Sequence, residues 1–165
     1  MSTKHNFDKV VKAYVKLKQD LPRIVGNEAV VFSKGNWRKQ GFQDVSVQPW
    51  KRRNPKAERN SGRAILIDTG RLRRSIRITG IFGSQVHIGS DVPYARIHND
   101  GGRVTSTQRV REHTRRTKKS TTRVSAHQRR VNFYMPRRRY IGNSVELHRR
   151  INQKVKLRLL KVFKQ

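Results

Sequence analysis

Between Ile65 and Gly102 the chain reads ILIDTGRLRRSIRITGIFGSQVHIGSDVPYARIHNDGG, and no other stretch constrains the fold as tightly. Two turn-and-helix signals, Thr69 to Ile76 and Tyr94 to Gly102, bracket two short alternating runs. In the first, Asp68 or Thr69 can cap a short helix, since either side-chain oxygen accepts from the orphan N–H groups at a helix start. Gly70 permits a sharp turn. Leu72 and Ile76, four apart, face inward, while Arg71, Arg73 and Arg74 point outward or sideways. Ile76 with Ile78, and Val86 with Ile88, alternate as half-buried strands do. With Gly80 and Gly83 in the connecting turn, this predicts an antiparallel hairpin that carries His87 on its polar face. Pro93 then starts a second short helix, with Tyr94, Ala95 and Ile97 available to pack. Gly101-Gly102 ends it, because glycine takes the left-handed cap conformation cheaply.

Helices are predicted at both ends of the chain. Phe7, Val10, Tyr14, Leu17, Leu21 and Ile24 alternate spacings of three and four and fall on one helical stripe. That stripe packs on the chain's own sheet, the preferred reading, or on a neighbouring subunit. Pro22 should kink this helix or open a second one capped by Asp20. Residues 33–63 show the least pattern, and Gly35, Gly41, Pro49 and Pro55 punctuate them. Trp37, Phe42 and Trp50 in this stretch are read as pins holding a long loop to the body, in preference to platforms for stacking on bases. Near the other end, Pro136 to Gly142 reads as a short final strand. Asn143 with Glu146 then makes a capping box. Leu147, Ile151, Val155, Leu159 and Phe163 continue at spacing four as the buried stripe of the last helix.

Residues 103–134 are of another kind. Basic side chains recur throughout, Ser and Thr fill the gaps, and Glu112 is the only acid. Two weak β segments, near 103–105 and 130–133, would make the ends of a long hairpin whose tip, about 109–127, is mobile. Like charges at this density repel one another, which points to a partner. The residues expected to touch it are Arg109, Arg111, Arg115, Arg116, Lys118, Lys119 and Arg123.

Composition narrows the function classes. Forty Lys and Arg against ten Asp and Glu give a formal net charge of +30 in 165 residues. Self-repulsion of that size disfavours a compact isolated monomer, and a polyanion would relieve it. Hydrophobic residues make up 33% of the chain, enough for a modest core because they cluster in patterned segments. One α+β domain over 1–165 is expected: a small antiparallel β-sheet packed by a long N-terminal helical segment and a C-terminal helix, with 103–134 as a basic arm. The chain has no cysteine, which excludes disulfides and thiolate metal sites. No apolar run approaches the roughly 18 residues of a membrane span. MSTKHNFDKV lacks the apolar core of a signal peptide, so synthesis in the cytoplasm is expected. The six histidines show no HxxxH or HExxH spacing, and no GxSxG, Walker or Rossmann motif is present. Neither an enzyme nor a cofactor is expected.

Three segments in order carry a family resemblance. They are Ile65 to Ile76 with its TG-x-L-x-x-S core, Ile88 to Gly102 with YA-x-I-H, and Met135 to Gly142, MPRRRYIG. The chain resembles the virion-morphogenesis, or tail-completion, proteins of Mu-like phages. The family motif falls on Thr69, Gly70, Leu72, Ser75, Tyr94, Ala95, His98, Gly101, Gly102, Pro136, Arg138, Tyr140 and Gly142, with structural roles. His98 is expected to tie its loop to the Thr69 segment. Arg139 stands where the family has proline.

The resemblance implies a structural protein of the phage neck or tail end. It would form a ring of its own copies that completes the tail or joins head to tail, against portal, adaptor or tail proteins. The arm would reach packaged DNA in the channel or acidic neighbours. The alternative from charge alone is a basic nucleic-acid-binding protein outside the virion, ribosome-associated or acting in packaging.

Overall fold

The computed structural model describes residues 2–53, 62–116 and 120–163. Helix α1 (Ser2–Lys39) is followed by a small hairpin, β1 (Gly41–Gln43) with β2 (Val47–Pro49), and by a short helix α2 (Arg71–Ser75). The predicted hairpin is β3 (Arg77–Phe82) with β4 (Gln85–Gly89), and the second short helix is α3 (Ala95–Asp100). Four strands, β5 (Gly102–Val110), β6 (His113–Arg116), β7 (Thr121–Val124) and β8 (His127–Met135), precede the last helix α4 (Val145–Phe163). The fold is α+β as expected. Among the described residues its β structure is four two-stranded antiparallel ladders in place of one sheet. No helix among them is long and apolar enough to cross a membrane.

The predicted break at Pro22 does not occur, because α1 runs through it. An internal proline removes one backbone donor and costs about 3 kcal/mol. The second half of α1 is held from outside, by α4 along one side and the β3–β4 hairpin along another. The hairpin approaches so closely at Gly26 that an added Cβ would stand 2.7 Å from Ile78 Cδ1 and 2.7 Å from Val86 Cγ2. The apolar stripe of α1 divides accordingly. Leu17 is buried and Leu21 and Ile24 are half-buried, whereas Phe7 and Tyr14 are 68% and 47% exposed. The own-sheet reading therefore holds only from Leu17 onward.

Trp37, Phe42 and Trp50 are all buried, and they do more than pin a loop. Trp37 belongs to α1, and Phe42 to β1. Trp37 meets Trp50 edge-on at 5.7 Å and lies 4.6 Å from Tyr140, while Phe32 meets Phe42 edge-on at 5.9 Å. Gln40, in the left-handed region at φ 51°, turns the chain from α1 into β1. Its side chain donates to Trp37 O and accepts from Ile65 N at 2.6 Å. Asn54, Pro55 and Ser61 of this stretch lie outside the described residues.

Three further expectations are corrected. Gly80 is not in the turn: it pairs with His87 inside the ladder, at a register irregularity after Ile78, and Gly83-Ser84 make the turn. Pro136 to Gly142 is not a strand, because side chains take the backbone groups that a neighbouring strand would use. Asn36 Nδ2 donates to Tyr140 O, Trp50 Nε1 to Arg139 O, and Tyr140 N and Ile141 N both to Asn99 Oδ1. The cap of α4 is not Asn143. Ser144 Oγ accepts from Leu147 N and Asp44 Oδ1 accepts from Val145 N, while Glu146 pairs with Arg149. At the far end Val162 is buried and Phe163 is exposed. A spacing of four advances roughly 40° beyond a full turn each time, so the stripe begun at Leu147 has wound far round the helix by Phe163.

Candidate functional site

The motif segments converge on one cluster. Leu72 and Tyr140 are buried with Trp37, Trp50, Ile76 and Val92, and Ala95 packs against them. The Tyr140 hydroxyl donates to Ala95 O at 2.6 Å, and burial, with Asp100 nearby, pushes its pKa up. Ser75 Oγ donates to Leu72 O at 2.7 Å and lies 2.6 Å from Ser90 Oγ, which accepts from Val92 N. Gly101 ends α3 with its N–H on Ile97 O, and an added Cβ there would press on Arg137 N at 2.7 Å. Gly102, at φ 128°, opens β5. Pro136 and Gly142 are half-buried along the connector to α4. At the start of α2, Gly70 is left-handed at φ 78°, and no side chain makes an N-cap bond. The expected role shrinks to a 3.4 Å contact from Arg71 N to Thr69 Oγ1.

An open cleft runs beside this cluster, lined by Arg53, Asp68, Thr69, Gly70, Arg71, Tyr94, His98 and Arg138. Tyr94 is exposed on its rim and meets His98 edge-on at 5.7 Å. His98 shares the cleft with Thr69, but no hydrogen bond joins its side chain to that segment. Its Nδ1 is buried with no hydrogen-bond partner among the described residues. The expected tie to the Thr69 segment is not made; the His98 main chain instead holds the connector before α4, where Arg138 N donates to His98 O at 3.0 Å. Burial and the charge of Arg138 hold the His98 pKa below the ordinary imidazole range. Arg138 is itself buried, and its Nε donates to Lys51 O at 3.1 Å. Burial and the neighbouring Arg53 lower its pKa too.

The basic segment forms a ribbon. β5 pairs with β8 from Gly102↔Met135 to Val110↔His127, and β6 pairs with β7 from His113↔Val124 to Arg116↔Thr121. The two ladders share one register, so they continue one hairpin interrupted at 111–112 and 125–126. At strand rise its 15 residues per side span roughly 45–50 Å. The tip expected from 109 to 127 is paired as far as Arg116↔Thr121, and its residues 117–119 lie outside the described residues. Alternating Thr and β-branched residues between the arginines favour extended backbone. Among the described residues no other element packs along the ribbon as a second layer, and most of its side chains are exposed.

Directly paired residues share a face, so the register sorts the side chains. One face carries Arg103, Arg109, Arg115 and Arg130 with Thr105, Thr107, Gln128 and Asn132, has Tyr134 opposite Arg103 and Val124 opposite His113, and holds no acid; Arg111, unpaired between the ladders, follows the same alternation. The other carries Val104, Val110, Val131 and Phe133, with Arg116, Arg123 and Arg129 further along. Side-chain bonds agree with this sorting: Arg103 Nε donates to Asn132 Oδ1 on the first face, and Arg129 donates to Gln108 and Arg123 to Glu112 on the second. Of the expected contact residues, Arg109 and Arg115 fall on the first face, with Arg111 between them in the unpaired interruption. Arg116 and Arg123 face the other way, and Arg123 is paired. Lys118 and Lys119 lie outside the described residues. Sequence reasoning missed Arg103 and Arg130, which only the strand register brings to the row.

Compared with known proteins, the chain matches the model of the phage virion morphogenesis family over residues 34–159, from the last part of α1 to within α4. No curated protein and no solved structure matches.

Proposed function

The chain belongs to the phage virion morphogenesis family, and from that premise we propose that it is a non-catalytic structural part of the neck or tail end. Copies of it form a ring that completes the tail or joins it to the head, and the ribbon reaches a polyanion or an acidic neighbour. The family places the chain in virion morphogenesis; the ring and its position are our reading. One observation carries that reading: among the described residues the ribbon stands without a second layer. An isolated two-stranded hairpin is marginally stable in water, and three strands or packing against a helix are needed for independent stability. A ribbon of this length therefore belongs to an assembly that covers or binds it. The stretch of α1 from Phe7 to Val15 adds a second uncovered surface. It lies outside residues 34–159 and presents Phe7, Val11, Tyr14 and Val15 to solvent.

Reconstruction of purified particles with this chain traced in the density tests the reading. A ring between head and tail, or capping the tail, is the expected result. Particles that assemble and infect without containing the chain would overturn it.

A further inference from the structure

We propose that the arginine face of the ribbon, Arg103, Arg109, Arg111, Arg115 and Arg130, is a docking strip for the sugar-phosphate backbone of double-stranded DNA, read without regard to base sequence. The proposal rests on the reading above that the ribbon meets a partner in the particle, and it names that partner.

Three features of the face favour DNA over an acidic protein. Its middle, from Thr105 and Asn132 to Arg109 and Gln128, holds only Thr, Asn, Gln and Arg. These are the side chains that bond phosphate oxygens. A protein interface would be expected to put aromatic or apolar anchors at its centre; here Val104, Val131 and Phe133 lie on the opposite face, and the arginine face carries Tyr134 and Val124 only outside that polar middle. Among the described residues none of Arg109, Arg111, Arg115 and Arg130 is paired with a carboxylate, while Arg123, on the other face, pairs with Glu112. Alternate residues of a strand recur at about 6.7 Å. A DNA strand presents one charge per about 3.4 Å of axis, so a ribbon lying along the duplex meets phosphates repeatedly. A two-stranded ribbon also has the width that the major groove admits. Without base-edge readout the contact allows DNA to slide, which suits a protein on a channel.

The test uses the full chain and a short fluorescent DNA duplex, with affinity followed from about 50 to about 200 mM NaCl. Two charge-matched triple variants are compared, R109A/R111A/R115A on the proposed face and R116A/R123A/R129A on the other. Circular dichroism checks that both remain folded. Each lost phosphate contact lowers the slope of log affinity against log salt by about 0.9. The first triple is expected to lower it by roughly three, and the second by less than about one. Equal changes in both triples, or no change in the first, would overturn the proposal. Polyglutamate displacing the duplex at matched charge would overturn it in favour of an acidic protein partner, and tighter binding to an RNA duplex would overturn it in favour of RNA. Whether the chain is present in purified particles is scored separately. A faced DNA contact without virion incorporation keeps this inference and sinks the neck or tail reading; virion incorporation without a faced contact does the reverse.

Discussion

Asn99 shows how much of this structure rests on single polar groups. Its side-chain oxygen accepts from both Tyr140 N and Ile141 N at 2.9 Å, joining α3 to the connector before α4. It lies inside the Tyr94 to Gly102 motif, yet the family resemblance marked its neighbour His98 instead. Replacing it, Asn99→Ala, leaves two backbone donors short of an acceptor at 1–3 kcal/mol each where buried. Chemical denaturation is expected to show a loss of about 2–4 kcal/mol, and a loss below about 0.5 would refute the role. Glu28 is the second such residue. It is buried on α1 and bonded to Arg150 and Lys154 of α4. Burial raises its carboxyl pKa, but the bond from Lys154 and the charges of Arg150 and Lys154 outweigh this and hold it below the usual range. A depressed carboxylate stabilises the fold above its unfolded pKa, about 4.3. That contribution fades as pH falls through the lower folded value. Stability of the native chain is therefore expected to drop below about pH 4.3, and Glu28→Gln to flatten that drop. At neutral pH the substitution should cost about 1–3 kcal/mol, less than the 3–5 of a fully buried pair because Arg150 and Lys154 reach water. A single acid in a helix carries no sequence signal of such a role.

The elements themselves were largely legible. The β3–β4 hairpin and the short helices α2 and α3 followed from alternation, glycines and a four-residue spacing, all of which are local. What failed was local evidence overruled by tertiary partners. Pro22 did not break α1, and the 136–142 segment found side chains in place of a strand. Gly26 belongs to the same class, being a helical glycine that periodicity treats as a weakness. Its role is to let the β3–β4 hairpin seat on α1. Gly26→Leu is expected to cost about 1–3 kcal/mol by overpacking, read as a lower melting temperature. A neutral or stabilising result would mean the hairpin does not seat there. The first half of α1 makes the opposite prediction. Phe7 and Tyr14 are exposed in this chain by itself, so Phe7→Ser with Tyr14→Ser should shift stability by less than about 0.5 kcal/mol each. The same double variant should lose self-association in analytical ultracentrifugation. Unchanged assembly would remove α1 from the subunit contact.

On the scale of the whole molecule, charge opposes the fold that the apolar segments drive. Forty basic residues against ten acidic ones repel throughout, and the described ion pairs are mostly on the surface. Raising NaCl from about 0.1 M to about 1 M shortens the screening length from about 10 Å to about 3 Å. The melting temperature is therefore expected to rise with salt, and a fall would mean that ion pairs outweigh self-repulsion. The sequence by itself determined the α+β class, the hairpin, the short helices, the basic arm and the ordered motif that identifies the family, because each is written in neighbouring residues or in composition. Only the tertiary structure decided that Trp37, Trp50 and Tyr140 make one cluster, that Glu28 locks α1 to α4, and that arginines from β5, β6 and β8 share one face. Those outcomes depend on which distant backbone passes beside a residue and in what register, and periodicity along one segment holds no information about either.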